Sequence, residues 1–306
     1  MKLSIAMTTY NGSQYIIRQL NSLKNQTRYV HEVVIVDDHS TDDTADIILA
    51  YIKEYHLDHW RFYINKENIG YKRNFKEVLS KVTGDYIFLC DQDDIWSKRK
   101  VEYMMKILET HHDIECLTTS YHLMNENDEK LEDHLLLNNV GKNEVIEIPT
   151  SDIFIKNISM GCTSCISKKI KDIYLSKTNT MAPHDWELNA IASFYDGLYY
   201  FNHPLIYYRI HSKNTTGLDV GSKDDKVNAR KKNSIQIDNY LSSLSLYKEY
   251  MTEEDYAYLK RLQSFSQKRT MLLNGGSRKI WFSLIKERDI YKSYVSVKGM
   301  LVELLK

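Results

Sequence analysis

Residues 86–96 read YIFLCDQDDIW: a short apolar run, then three carboxylates within four positions. Tyr86 to Cys90 follows Gly84 and leaves no room for a helix, so it reads as a buried strand. Alternate side chains at a strand end point the same way, so Asp91 and Asp93 can share one cation. Hard oxygen ligands favour Mg²⁺ or Mn²⁺, which would bridge a diphosphate. The competing role for these aspartates is turn formation and helix capping. Three crowded carboxylates repel one another unless a cation is present, which favours the metal.

The same grammar repeats upstream. Leu3 to Met7 reads as a buried strand ending in TTYN, and Ser13 as the cap of a helix bearing Ile16, Leu20 and Leu23. Val33 to Val36 is a β-branched run ending at Asp37-Asp38. Ser40 and Thr41 then offer caps for a helix with Ala45, Ile48, Leu49 and Ile52 on one face. Arg61 to Ile64 is a third strand and Lys72 to Lys81 a helix; Ser97 to His111 is another helix and Glu115 to Thr119 a fifth strand. Such alternation predicts a three-layer α/β/α arrangement with a mostly parallel central sheet. Ligands in such sheets bind outside the carboxyl ends of the strands, where TTYN, DDHS and DQDD fall.

Beyond residue 120 the pattern loosens. Asn125 to Glu147 reads as loop or hairpin, Ser159 to Ser167 and Leu198 to Tyr208 as strands, and Pro183 to Ser193 as a helix. From Ser234 onward apolar and basic residues mix at helical spacing. The expected organisation is an α/β domain over 1–217, whose regular alternation ends near residue 120, and a helical C-terminal region over 218–306.

Composition narrows the class. In 306 residues, 41 basic and 41 acidic side chains cancel, which argues against a phosphate-driven nucleic-acid binder. Residues 226–306 hold 16 Lys/Arg against 8 Asp/Glu, a net of +8, so the remainder carries −8. A basic tail suits an anionic membrane surface, and equally a solvated helical face. Cys162 and Cys165 lie in an apolar, Thr-rich strand-like segment, and all four cysteines read as buried thiols in a reducing cytoplasm. Neither a secretory leader nor an apolar run of spanning length is present, so the expected location is cytoplasmic.

Further residues could carry chemistry. Asp38 can accept from a base N–H or ribose hydroxyl, or cap a helix. Tyr10 can stack on a base or simply pack. Asp185, in His184-Asp185-Trp186, can be a catalytic base or a helix-start carboxylate. Arg209, His211 and Asn214 follow PLIYY and suit a diphosphate or a metal, or an ordinary strand end.

Taken together, TTYNGSQYIIRQLNSLKNQT, VVIVDDHSTDDT, NIGYKRNF and GDYIFLCDQDDIW resemble the family 2 inverting glycosyltransferases of the GT-A fold. MGCTSCISKK, HDWELNAIA and PLIYYRIHSKNTTG are similar to the rhamnosyltransferase-like branch that builds capsule, O-antigen and other bacterial surface polysaccharides. The likeness covers about residues 1–217 and implies that this is a catalytic domain, with a nucleotide-sugar part over about 1–120 and an acceptor part over about 121–217. It implies that Thr8, Thr9, Tyr10 and Asn11 line the nucleobase pocket, that Asp38 reads the base, and that Asn68, Gly70 and Asn74 lie near the donor. Asp91, with Gln92 beside it, and Asp93 match the D-x-D motif, Asp93 being the better metal ligand. His211 matches a histidine near the metal and diphosphate, and Asp185 matches the base, with His184 replacing the usual glutamate. The resemblance implies a Mn²⁺ or Mg²⁺ cofactor, a UDP- or dTDP-linked sugar donor, and a glycan or lipid-linked acceptor. It implies no nucleic acid. The tail over 218–306 matches no motif of the family; its basic and aromatic residues suit peripheral membrane contact, packing on the catalytic domain, or pairing in a homodimer.

Other classes fit less well. A non-catalytic sugar-nucleotide binder would not need Asp91, Asp93 and Asp185 together. A sugar nucleotidyltransferase needs a Gly-rich basic loop after the first strand, and a dinucleotide oxidoreductase needs G-x-G-x-x-G; TTYNGSQY is neither.

Overall fold

A computed structural model describes residues 1–134, 140–155, 157–211, 223–294, 300 and 303. Asn214 and the 217/218 boundary lie outside them. The first half alternates as expected: β1 (Leu3–Thr9), α1 (Ile16–Lys24), β2 (Glu32–Asp37), α2 (Thr44–Glu54), β3 (Trp60–Ile64), α3 (Tyr71–Lys81), β4 (Tyr86–Cys90), β5 (Ile95–Trp96), α4 (Lys100–Leu108) and β6 (Cys116–Met124). Next come β7 (Lys130–His134), β8 (Val145–Glu147), α5 (Thr150–Ile155), β9 (Cys165–Ser167), α6 (Lys168–Lys177), α7 (His184–Ser193) and β10 (Leu198–Arg209). The chain closes with α8 (Lys223–Leu244), α9 (Glu253–Leu273), α10 (Arg278–Ile285) and α11 (Arg288–Tyr294).

The strands form one mixed sheet in the order β3-β2-β1-β4-β9-β6-β10-β5, with β7 beside β6 and β8 beside β10. β1 to β4 run parallel to their neighbours, as do β6 and β10, while β9 is antiparallel to both β4 and β6. β1, β2 and β4 are buried on both faces, and alternate residues feed two cores. Leu3, Ile5, Met7, Val33, Ile35, Phe88 and Cys90 meet Leu20 of α1, Ile48 of α2 and Met104 of α4. Ala6, Val34, Val36, Ile87 and Leu89 meet Phe75 of α3, Ile170 of α6 and Leu188 of α7. Thr9 pairs with Asp37 and Met7 with Cys90, so β1, β2 and β4 end at one edge and present their polar tails side by side.

Several local expectations are corrected. Ser13 caps nothing: α1 starts at Ile16, and the Ser13 N–H donates to Asp42. Ser40 and Thr41 do not cap α2. The Ser40 hydroxyl donates to Asp37 Oδ1 and the Thr41 N–H to Asn11 Oδ1, so both stitch β1 to β2 instead. The segment 159–167 is not one strand; Gly161–Thr163 is a 3₁₀ turn and only Cys165–Ser167 pairs. All four cysteines are buried and free, as expected of structural thiols.

The C-terminal helices share the core of the α3/α6/α7 face through Tyr240, Leu244, Tyr247, Leu259 and Phe265. Trp186 packs edge-on against Tyr240, and the Tyr247 hydroxyl donates to Glu187 at 2.8 Å. This buttresses the helix that begins with His184-Asp185. Of the apolar tail residues suited to a membrane, Leu284 is buried and Trp281 and Ile285 are half-buried; Phe282 is 61% exposed. Among the described residues no helix is long and apolar enough to cross a membrane.

Candidate active site

The aligned strand ends build the first wall. Asn11 adopts φ 48°, a left-handed turn that asparagine tolerates. Its N–H donates to Ser40 and its side-chain oxygen receives the Thr41 N–H. Thr8 and Thr9 are buried, and the Thr9 hydroxyl donates to Asp37 at 2.7 Å. Tyr10 is 43% exposed, with its ring available to a flat ligand. Gln92 clamps the Tyr10 backbone, accepting from its N–H at 2.7 Å and donating to its carbonyl at 2.9 Å. A Cβ on Gly12 would lie 2.3 Å from the Gln92 side-chain oxygen, so the clamp needs glycine there.

Asp38 is 2% exposed. It accepts from Asn65 Nδ2 and from the Ile69 and Gly70 N–H groups, at 2.8 to 2.9 Å. A carboxylate offers about four acceptor positions, so most of this one is spent shaping the 65–70 loop. Asn68 accepts from the Gly70 N–H, and Gly70 sits at φ 83°, which favours glycine. Asn74 is buried, donates to the Val36 carbonyl and accepts from Asn65, locking α3 onto β2.

The DQDD segment is a turn rather than a strand continuation, so its carboxylates divide between two settings. Asp93 Oδ2 meets His211 Nε2 at 2.7 Å. Asp91, Asp94 and Cys162 place one ligand atom each within 4.8 Å of one another. Burial and the charges of Asp93 and Asp185 push the Asp91 carboxyl up to about 7. Burial and the charges of Asp93 and Asp91 raise Asp94 well above the carboxylate range, and its Oδ2 has no protein partner. Burial and these carboxylates also raise the Cys162 thiol, so it stays protonated beside Asp94. Lys100, fully buried, donates to the Cys162 carbonyl at 2.5 Å and lies 3.8 Å over the Trp96 ring.

Arg209 has a different place from the one its spacing suggested. Its guanidinium is fully buried, pairs with Asp128 at 2.5 Å, and donates to the Asp93 and Asn125 carbonyls. It stacks 4.5 Å over Tyr15. It therefore braces the acidic turn from behind and does not face a diphosphate. The short β5 carries this geometry, because its pairing with Ile206 and Tyr207 brings Arg209 and His211 beside Asp93 and Asp94.

The second wall is the start of α7. Asp185 Oδ2 accepts from Asn157 Nδ2 at 2.8 Å, and burial pushes its carboxyl up to about 6 against those hydrogen bonds. The charge of Asp185 helps to raise Asp91, so the start of α7 lies near the acidic turn. His184 is buried, stacks on Phe75 at 3.5 Å, and has both ring nitrogens without protein partners. Burial drives it down to about 3, so it is neutral. Gly161 allows this: a Cβ there would lie 2.7 Å from His184 Nε2. Asn157, Gly161 and Phe75 were not singled out from sequence; an isolated Asn, Gly or Phe carries no motif, and only the fold brings them to Asp185.

Residues 4–167, just over half of the chain, match the family described as Glycosyl transferase family 2. The chain belongs to that family. Relatives include the Staphylococcus aureus poly(ribitol-phosphate) beta-N-acetylglucosaminyltransferase TarS, 33% identical over 114 residues, which are 37% of this chain and 20% of TarS. An uncharacterized glycosyltransferase of Nostoc sp. is 33% identical over 110 residues, 36% of this chain and 34% of the relative. The chain thus spans about a third or less of the curated relatives it matches. Residues 1–349 of S. aureus TarS in complex with UDP-GlcNAc align with TM-score 0.57 at 15% identity, covering 96% of this chain and 89% of that one. The mannosyltransferase PcManGT from Pyrobaculum calidifontis, in complex with GDP-Man and Mn²⁺, aligns with TM-score 0.55 at 15% identity, covering 99% and 85%. The fold of this family 2 member is GT-A: a mostly parallel central sheet between helices, with further helices at the C-terminus.

Proposed function

We propose that this glycosyltransferase moves a sugar from a UDP- or dTDP-linked donor to a hydroxyl of a glycan or lipid-linked acceptor. The transfer inverts the anomeric centre and serves bacterial surface polysaccharide synthesis, in the rhamnosyltransferase-like branch, on the cytoplasmic side. The observation that carries this reading is Asp185, held at the start of α7, charge-coupled to Asp91 and raised to about 6.

Each wall then has a task. Tyr10 stacks on the base, Asp38 and the 65–70 loop with Asn68, Gly70 and Asn74 close over the nucleoside, and Thr8, Thr9, Asn11 and Gln92 fix that rim. Asp93 and His211, with Asp91, supply carboxylate oxygens and an imidazole nitrogen, a donor set that suits Mn²⁺ or Mg²⁺. The buried, orphaned Asp94 Oδ2 adds to the case for a cation at this turn. When bound, such a cation stabilises the charge that develops on the departing nucleoside diphosphate. Asp185 takes the proton of the acceptor hydroxyl, which attacks C1 from the face opposite the nucleotide. A raised carboxyl is a stronger base than an ordinary one yet is ionised at neutral pH. Asn157 and the His184–Phe75 stack hold it in place.

The tail contributes a surface. Arg278, Lys279, Lys286 and Arg288 are exposed around Phe282, a set suited to the interface of an anionic leaflet that carries a lipid-linked acceptor.

The direct test is a panel of UDP- and dTDP-sugars with Mn²⁺, with release of nucleoside diphosphate as readout. Turnover of at least one donor, abolished by EDTA and by Asp93→Ala, is expected. Full activity in EDTA would refute the metal-assisted reading.

A further inference from the structure

We propose that Asn189 is a positioning residue for the transfer: it orients the Asn157 side-chain amide so that the nitrogen, rather than the oxygen, faces Asp185. The inference rests on the transferase reading of Asp185 and adds a residue that acts on the base from behind.

Asn189 lies on α7 one turn beyond Asp185 and is 1% exposed. Residues four apart on a helix share a face, and the segment 157–159 passes that face. Asn157 Nδ2 donates to Asp185 Oδ2 at 2.8 Å and also to the Ser159 carbonyl. Asn157 Oδ1 accepts from Asn189 Nδ2 at 2.8 Å, and the same nitrogen donates to Ser159 Oγ at 3.0 Å. Asn189 Oδ1 in turn accepts from the Cys116 thiol at 3.5 Å. Burial pushes that thiol up to about 12, so it keeps the proton it donates.

A primary amide has a donor end and an acceptor end of nearly the same shape, so its direction is set by its partners. The Ser159 carbonyl can only accept, so the Asn157 nitrogen must face it. That leaves the Asn157 oxygen toward α7, where a donor is needed, and Asn189 supplies one. A residue at 189 without a donor would leave that oxygen buried and unpaired, a cost the amide can relieve by turning. A turned Asn157 sets its oxygen against the Asp185 carboxylate and repels the base from its place. The backbone is held separately: the Tyr240 hydroxyl of α8 donates to the Ile153 carbonyl at 2.9 Å and anchors α5 just ahead of Asn157.

The test compares the full chain with Asn189→Ala, Asn189→Leu, Asn157→Ala and the Asn157→Ala/Asn189→Ala double variant. Leucine fills the asparagine's volume without its donor, so a loss caused by a cavity shows only in the alanine variant. Nitrogen–proton NMR of the Asn157 side-chain amide, assigned by its disappearance in Asn157→Ala, reads the relay without turnover. Both Asn189 variants should shift that pair of signals, and Asp185→Asn should shift it too. With Mn²⁺ and the donor that turns over best, kcat should fall about tenfold in both Asn189 variants, the loss of one charge-assisted hydrogen bond, with donor KM unchanged. The double variant should be no slower than Asn157→Ala, because Asn189 acts through Asn157. Asn157 signals unmoved in both Asn189 variants would overturn the proposal. So would losses that multiply in the double variant, or a lowered melting temperature with kcat and KM unchanged. No turnover with any donor, while the Asn157 signals move as expected, would sink the transferase reading and leave the relay in place.

Discussion

Asp93 and His211 stand 118 positions apart and meet at 2.7 Å, carboxylate Oδ2 to imidazole Nε2. The contact exists because β10 runs the full width of the sheet and ends beside the DQDD turn, where β5 pairs with it. His211 is thereby placed to ligate a cation itself or to orient Asp93 toward one. His211→Ala should raise the Mn²⁺ concentration for half-maximal binding roughly 10–100-fold, the usual cost of losing such a partner. Electron paramagnetic resonance of free Mn²⁺ measures this without turnover. Unchanged Mn²⁺ affinity would remove His211 from the site.

Gly161 and His184 form the second such relationship. Gly161→Ala places a methyl 2.7 Å from His184 Nε2, so the ring must leave its stack on Phe75. The expected cost is about 1–3 kcal/mol of stability, as for other overpacked sites. A fall in kcat with little change in donor KM should accompany it, because α7 carries the base. Unaltered melting and kinetics would show that the stack tolerates displacement.

The pH dependence follows from Asp185. Its carboxyl titrates near 6, so transfer should rise with pH through about 6 and level off above 7. The same shift affects folding. A carboxyl raised from its usual value near 4 binds its proton more tightly when folded, so stability falls as the pH rises from about 4 through about 6 and the loss is complete above that. Asp185→Asn should therefore be more stable than the parent by about 1–2 kcal/mol at pH 7.5, a gain that disappears near pH 4. Thermal melts of both proteins at the two pH values check this. Equal melting at pH 7.5 would mean that the carboxylate is well solvated.

The membrane contact proposed for the tail should be weak and salt-sensitive. Each exposed cation near an anionic leaflet adds at most about 1 kcal/mol, falling within a Debye length. Flotation with anionic vesicles at low salt should succeed, and should fail at high salt and in a variant with Arg278, Lys279, Lys286 and Arg288 all changed to Gln. No flotation at low salt would leave these helices a purely structural role, already evident in the burial of Leu284, Ile290 and Tyr291 in the shared core.

Much of this was legible in the sequence because the strands are short, apolar and punctuated. TTYN, DDHS and DQDD follow β1, β2 and β4, and parallel pairing must align those ends. What periodicity could not show was antiparallel insertion: β9 has three residues, and nothing in GCTSCIS marks it as the bridge between β4 and β6. Helix caps were misplaced because Ser40 and Thr41 found partners across the strand ends, in Asp37 and Asn11, rather than in their own helix. Arg209 looked like a diphosphate ligand because residue type does not reveal direction; the Asp93 and Asn125 carbonyls and Asp128 turn it inward. Asp185 stood out as a candidate through the family resemblance, whereas its neighbour Asn157 and the Phe75 ring beneath His184 are brought there by the fold.

The central claim is inverting transfer with Asp185 as base, and the product's anomeric configuration tests it most directly. Proton NMR of the glycoside formed with Mn²⁺ and the preferred donor from the sugar-nucleotide panel reads that configuration, which the glycosidic bond locks. Inversion relative to the donor is expected, with Asp185→Asn slowing formation by roughly 10²–10⁴-fold while still binding UDP. A product that keeps the donor's configuration, or an Asp185→Asn enzyme that turns over at the parent's rate, would contradict it.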